Sequence, residues 1–95
     1  MERYTSWSEK REKYIIDSSA VHYEYKSYSG EPISRLARIE NLFEQLKQEL
    51  NDVEQKMESL CRQGGARGSV YRQLAERKMM LESMLSYFRI YAGMK

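Results

Sequence analysis

The chain has 95 residues and a formal net charge of +2, from 16 lysines and arginines against 14 aspartates and glutamates. This length suits a single small domain with a modest core, and an apolar fraction of 41% excludes wholesale disorder. No apolar run approaches the roughly 20 residues of a membrane span, and the single Cys61 excludes an internal disulfide framework. We therefore expect a soluble protein in a reducing, cytoplasmic compartment, without a membrane partner.

The first segment, residues 1–31, is rich in tyrosine and has two interpretations. Ser6 with Glu9 three positions later matches a capping box, which predicts a helix over about 7–17 that extends in its longest version to 28. In the other interpretation the helix ends near Asp17, and the alternation of apolar and polar residues over 21–26 predicts a short strand. We favour the helix because a lone strand would have no partner strand in the chain.

A long helix is expected over residues 32–63. Gly30 and Pro32 mark its start, because glycine allows a positive φ and proline is tolerated in a first helical turn. Its apolar residues recur at alternating spacings of three and four, which predicts a buried heptad seam. The predicted seam comprises Leu36, Ile39, Phe43, Leu46, Leu50, Val53, Met57 and Leu60.

A second long helix is expected over 70–92, after a glycine-rich turn at 64–69. A connection this short predicts an antiparallel helical hairpin. The seam predicted on this helix comprises Val70, Leu74, Arg77, Leu81, Met84, Phe88 and Tyr91. Arg77 then falls opposite Val53, so we expect its guanidinium to reach outward to a carboxylate of the first helix, which could be Asp52, Glu49 or Glu54.

A second apolar stripe follows the same helix through Met80, Tyr87 and Ile90, with Met79 and Leu85 beside it. One partner helix cannot bury two stripes, so another element must lie on this helix. Cover by the N-terminal segment would give a three-helix bundle, and cover by another copy would give a coiled-coil dimer. The expected fold is all-α: an antiparallel helical hairpin with an additional N-terminal helix or extended segment, completing a helical bundle by self-association.

The sequence offers little support for catalysis. His22 is the one histidine, and no cysteine, aspartate or second histidine lies near it at the spacing of a metal site or a catalytic triad. Glu40 with Glu44 is an acidic pair one helical turn apart, but it lies on the solvent side of the first long helix. We therefore expect a non-enzyme with no catalytic residues, no metal, no cofactor and no small-molecule substrate.

Aromatic and methionine residues supply the candidate contact surface. Tyrosine and tryptophan are enriched at protein interfaces, and methionine side chains adapt to varied partners. The candidate residues are Trp7, Tyr14, Tyr23, Tyr25, Tyr28, Met80, Tyr87 and Ile90. These features favour a small non-enzymatic interaction module, such as a regulator, adaptor or inhibitor, whose partner is a protein or another copy of the chain.

A nucleic-acid-binding regulator is the alternative. Residues 61–95 carry seven basic and two acidic side chains, a net charge of +5. Three of the basic residues, Arg62, Arg67 and Arg72, surround the glycine-rich turn, where they could bind phosphate or an acidic patch on a protein partner. Such binding would weaken steeply with salt and after removal of these arginines.

Overall fold

The computed structural model describes all 95 residues, and it corrects the expected fold class. The chain contains two long helices together with two small antiparallel β-hairpins, so the all-α expectation is wrong. It divides into two compact units, Met1–Glu40 and Asn41–Lys95. None of its helices combines the length and the apolar character needed to cross a membrane.

The first β-hairpin stands where a helix over 7–17 was expected. Strand β1 (Thr5–Ser8) pairs antiparallel with β2 (Lys13–Ile16), and Trp7 lies directly opposite Tyr14. Aromatic and β-branched residues are common in both strands, and such side chains pack well across a pleated pair. The local preference of these residues for a strand therefore overrides the helix signal of Ser6 and Glu9.

The turn between β1 and β2 shows why the capping box was misleading. Ser6 lies within β1, and Glu9 follows the end of that strand. Ser8 Oγ accepts a hydrogen bond from the Arg11 N–H at 3.3 Å, and Glu12 adopts a left-handed φ of 52° before β2 begins. Serine hydroxyls stabilise turns as well as helix starts. A serine-rich stretch before charged residues is thus compatible with a turn as well as with the start of a helix.

The second β-hairpin follows a short 3₁₀ turn over Ser18–Ala20. Asp17 precedes that turn, and its carboxylate accepts a hydrogen bond from the Ser19 N–H at 2.9 Å. Strand β3 (His22–Glu24) then pairs antiparallel with β4 (Ser27–Ser29). The prediction that a strand here would have no partner is therefore wrong, as is the extension of an N-terminal helix to 28, because the partner strand begins only three positions after β3 ends.

The two-residue loop of the second hairpin carries no glycine. Tyr25 and Lys26 both have left-handed φ values, 52° and 62°, as a type I′ turn requires. Each such non-glycine residue costs on the order of 1 kcal/mol. The facing rings of Tyr23 and Tyr28, with centroids 4.8 Å apart, offset part of that cost.

Helix α1 (Glu31–Arg62) begins immediately after Gly30. The Gly30 carbonyl accepts hydrogen bonds from the N–H groups of Ile33 and Ser34, at 3.1 and 3.0 Å, which closes the first turn. Gly30 itself has a φ of 133°, and a Cβ there would collide with the Ala20 carbonyl oxygen. Glycine is therefore required by both the backbone angle and the close approach of the preceding 3₁₀ turn.

The glycines after α1 form the turn that reverses the chain. Gly64 has a φ of 79°, and its N–H donates to the Cys61 carbonyl at 3.1 Å, while the Gly65 N–H donates to the Leu60 carbonyl at 2.7 Å. This pair of hydrogen bonds is the Schellman arrangement of a helix end. Helix α2 (Ser69–Ala92) follows after a short connection.

The second unit contains the helical hairpin, which confirms that part of the prediction. Its core consists of the buried side chains Phe43, Leu46, Val53, Leu81 and Leu85. The rings of Phe43 and Phe88 have centroids 5.6 Å apart, and Arg77 Nη2 donates to Glu49 Oε2 at 3.1 Å. Phe43 precedes Glu49 on α1, whereas its partner Phe88 follows Arg77 on α2. The two helices are therefore antiparallel. The expected outward reach of Arg77 is confirmed.

The predicted seams hold on α1 from Phe43 onward and need correction elsewhere. Leu36 and Ile39, at the start of the predicted α1 seam, are exposed. On α2, Leu85 is fully buried although the sequence placed it beside the second stripe. Three residues of the predicted seam are exposed instead: Val70, Met84 and Tyr91. Leu81 and Leu85 fit the core better than Met84 and Tyr91, because a buried Tyr91 hydroxyl would need a hydrogen-bond partner there.

Candidate protein interface

Helix α2 exposes large apolar side chains on the sides that α1 leaves open. We define its outer face as Met79, Met80, Met84, Tyr87, Ile90 and Tyr91. Met79 is 70% exposed, Ile90 69% and Tyr91 78%. Single exposed apolar residues are ordinary, whereas a contiguous set on one helix is a candidate interaction surface.

The outer face follows from the distribution of apolar residues around α2. With about 3.6 residues per turn, the stripe containing Met84 and Tyr87 lies about a quarter turn from the buried leucines. Met79 and Ile90 lie on the side opposite those leucines. A helix that is apolar on three sides needs cover on more than one of them. Helix α1 supplies that cover on only one side.

A shallow groove runs along the outer face, lined by Glu82, Ser83, Ser86, Tyr87, Ile90 and Tyr91. The small side chains of Ser83 and Ser86 form its floor. Tyr87 and Tyr91 form one wall, where their rings stack with centroids 5.6 Å apart and planes inclined by 19°. A groove with small side chains along its floor and aromatic rings along one wall can receive the side chains of another helix.

Three of the predicted contact residues, Met80, Tyr87 and Ile90, are brought together on the outer face. Sequence reasoning missed Met84 and Tyr91 because it placed them in the seam. The signal that could have found them is their spacing, since positions 80, 84, 87 and 91 also alternate four and three.

The aromatic residues of the first unit are distributed over the two β-hairpins. Trp7 meets Tyr14 edge to face, with centroids 5.2 Å apart and planes inclined by 76°. Tyr23 faces Tyr28 across the second hairpin, and Tyr25 is 91% exposed in its turn. Cross-strand aromatic pairs stabilise short hairpins. Four of these five candidate residues therefore have a structural role inside the first unit.

The first unit also has an apolar groove between β1, β2 and the start of α1. It is lined by Met1, Arg3, Tyr4, Thr5, Ile16, Pro32, Arg35, Leu36 and Ile39. Arg35 fixes one wall, because its Nη1 donates to the Glu2 carbonyl at 2.6 Å and its guanidinium lies 4.2 Å from the centre of the Tyr4 ring. Sequence reasoning missed this groove because its residues come from three elements that are distant in the chain.

The arginines around the interhelical turn form a looser group. Arg62 Nη2 lies 3.3 Å from Glu58 Oε1, so its charge is partly matched within α1. Arg67 and Arg72 are exposed and make no ion pair. The glycines beside them are accounted for by the Schellman turn. Binding of nucleic acid at this turn stays a prediction.

Two titratable groups depart from their ordinary pKa values. The backbone N–H of Ser19, and then its hydroxyl, hydrogen bond to the Asp17 carboxylate and lower the pKa of Asp17. A hydrogen bond with Cys61 raises the pKa of Tyr71. Neither Asp17 nor Tyr71 is one of the residues of the outer face, so neither is assigned a role there.

Comparison with known proteins gives no functional lead. No protein-family model matches the chain, and no match is found among curated proteins or solved structures. Function is therefore inferred from the surfaces that the chain itself exposes.

Proposed function

We propose that the protein is a small non-enzymatic interaction module, a regulator, adaptor or inhibitor that acts through helix-face docking and self-association. The observation that carries this proposal is the outer face of α2, whose six large apolar side chains are exposed beside a core of only five buried residues. A monomer that left this face in water would expose more large apolar residues on one helix than it buries in its core. Such surfaces mark interaction sites.

The size and composition of the outer face support the proposal. Its exposed side chains present on the order of 700 Å² at ordinary side-chain areas, and a standard interface buries about 800 Å² per partner. Five of its six residues are methionine or tyrosine, types that are enriched where proteins meet. The outer face is therefore large enough for most of one side of a stable interface.

The mechanism is occupation of a surface. The outer face receives a partner helix, and the methionines adjust to its side chains because their thioethers are flexible and polarisable. No covalent step is needed for a regulator of this kind. The exposed single thiol of Cys61 suits the reducing cytoplasm, where we place the protein.

Sedimentation velocity of the full chain tests this proposal. Wild-type protein is expected to associate, and Ile90→Glu is expected to abolish association because it places a charge in an apolar layer of the contact. Val70→Glu is the matched control, since Val70 is also exposed on α2 but lies outside the outer face. Its association is expected to match that of wild type.

Two results would contradict the proposal. One is an association that survives Ile90→Glu unchanged. The other is an equal loss in both variants, which would show that added charge, rather than the outer face, determines association. Far-UV circular dichroism of each variant establishes that the helices are intact.

A further inference from the structure

We infer that the partner of the outer face is a second copy of the chain, whose α2 docks antiparallel in the groove floored by Ser83 and Ser86. This inference rests on the proposed function and specifies its partner and register. Met79 of one copy lies opposite Ile90 of the second copy, and Ser83 lies opposite Ser86 of the second copy. Because the arrangement is two-fold symmetric, each of these contacts occurs twice.

Each pair of facing residues forms one layer of the contact, and the two residues within a layer are of similar size. The two serine layers lie at the centre, where small side chains let the helix backbones approach closely, and the two Met79 and Ile90 layers close the ends with bulky apolar side chains. Knobs of one helix then enter the holes of the other, as in coiled coils. The two-fold axis passes between the serine layers, so both ends of the contact carry the same Met79 and Ile90 pair.

The edges of the pairing determine its register. On one edge, Met80 of each copy packs against Tyr87 of the other. On the opposite edge, Glu82 of each copy meets Arg89 of the other, since positions preceding the core layers face one another in an antiparallel pair. Neither Glu82 nor Arg89 makes an ion pair within the chain. Both charges are therefore free to pair between copies.

A parallel in-register pair would leave Glu82 and Arg89 without oppositely charged partners. The same edge rule would place Glu82 beside Tyr87 of the other copy and Arg89 beside Met94, so that neither charge would meet its opposite. In the antiparallel register, Glu82 of each copy pairs with Arg89 of the other. Tyr87 of each copy then stays on the apolar edge, beside Met80 of the other. Charge complementarity thus selects a second copy in one orientation.

Charge exchange tests the register in the full-length protein. Glu82→Arg creates two like-charged pairs per dimer and is expected to weaken self-association about tenfold, and Arg89→Glu does the same. The double variant carrying both changes is expected to associate within about threefold of wild type. Glu44→Arg is the matched control, because it makes the same charge change on α1, at an exposed residue without an ion pair.

The two single variants also complement each other when mixed. A Glu82→Arg chain with an Arg89→Glu chain restores both interchain pairs, so the mixture is expected to form heterodimers more tightly than either variant alone forms homodimers. If the double variant is as weak as the singles, the register is wrong. If association persists in every charge variant but is lost in Ile90→Glu, the result supports the proposed function and contradicts this register.

Disulfide trapping tests the orientation independently. In a Cys61→Ser background, a mixture of Ser83→Cys and Ser86→Cys chains is expected to form a mixed disulfide, identified by intact mass, much faster than either chain forms one with itself. The reason is that the pairing brings position 83 opposite position 86 of the second copy, within the short Cβ separation that a disulfide needs. Faster self-trapping of Ser83→Cys alone would show a parallel in-register pair and overturn the inference.

Discussion

Truncating Leu85 tests which side of α2 faces the core. Leu85 is 0% exposed and contributes to a core of five residues, so Leu85→Ala leaves a cavity as well as losing buried apolar surface. The expected cost is about 3 kcal/mol. In a chain of this length, that cost lowers the melting temperature by about 12–24 °C. Urea unfolding followed by far-UV circular dichroism, at one fixed protein concentration, measures it.

The matched control is Leu42→Ala, the same substitution on α1. Leu42 is 45% exposed, so it loses only part of the transfer free energy of a leucine and leaves no closed cavity, a cost of about 1 kcal/mol. A second comparison uses Met84→Ala, because the seam expected from the sequence contained Met84 and excluded Leu85. A larger loss of stability for Met84→Ala than for Leu85→Ala would refute the assigned core.

Three further outcomes are expected. Gly30→Ala combines a left-handed φ with a collision against a neighbouring carbonyl, so it should cost at least about 2 kcal/mol, whereas Gly64→Ala, with no atom near the added Cβ, should cost about 1 kcal/mol. Tyr14→Ala removes the edge-to-face partner of Trp7, so the ring-current shifts in the NMR spectrum of Trp7 should disappear while the α2 signals stay unchanged. The lowered pKa of Asp17 means that its contribution to stability is complete above its unfolded pKa near 3.8 and is lost as the pH falls through the folded pKa. Acid titration of the β3 and β4 amide signals should show this loss in wild type and not in Asp17→Asn.

The helical hairpin could be predicted because several independent signals agree. Apolar spacing on α1, the glycines after it and the short connection all indicate an antiparallel pair, and Gly64 and Gly65 form the turn that their identity suggested. The seam on α2 could not be predicted in the same way. Its apolar residues follow two overlapping four-three stripes, and only packing against Phe43 and Leu46 decides between Met84 and Leu85.

The short strand over 21–26 that the sequence left open is partly confirmed, because β3 occupies His22–Glu24. The pairing of four strands into two hairpins could not be predicted because their turns lack the expected chemistry. Tyr25 and Lys26 form a type I′ turn without asparagine or glycine, and Glu12 occupies a left-handed position in the other hairpin. The strands are only three or four residues long. Alternation of apolar and polar residues over so few positions cannot be distinguished from a helical spacing that arises by chance. What stabilises them is visible only after pairing, when Trp7 meets Tyr14.

The outer face was partly visible from the sequence. Met80, Tyr87 and Ile90 were selected because one partner helix cannot cover two stripes, and all three are exposed on α2. The groove beside Tyr87 and Ile90 could not be predicted, because it depends on which side of α2 faces α1. Once Leu85 faces the core, Ser83 and Ser86 lie on the outside and form the groove floor.

The mass of the wild-type chain in solution tests the central claim most directly. Static light scattering over a range of concentrations, at low and at high salt, compares that mass with the chain mass of 11.3 kDa. A contact between apolar outer faces predicts a limiting mass of about twice the chain mass, reached at high as well as low salt because burial of apolar surface is not screened. A mass that stays at 11.3 kDa up to the highest concentration would contradict the account.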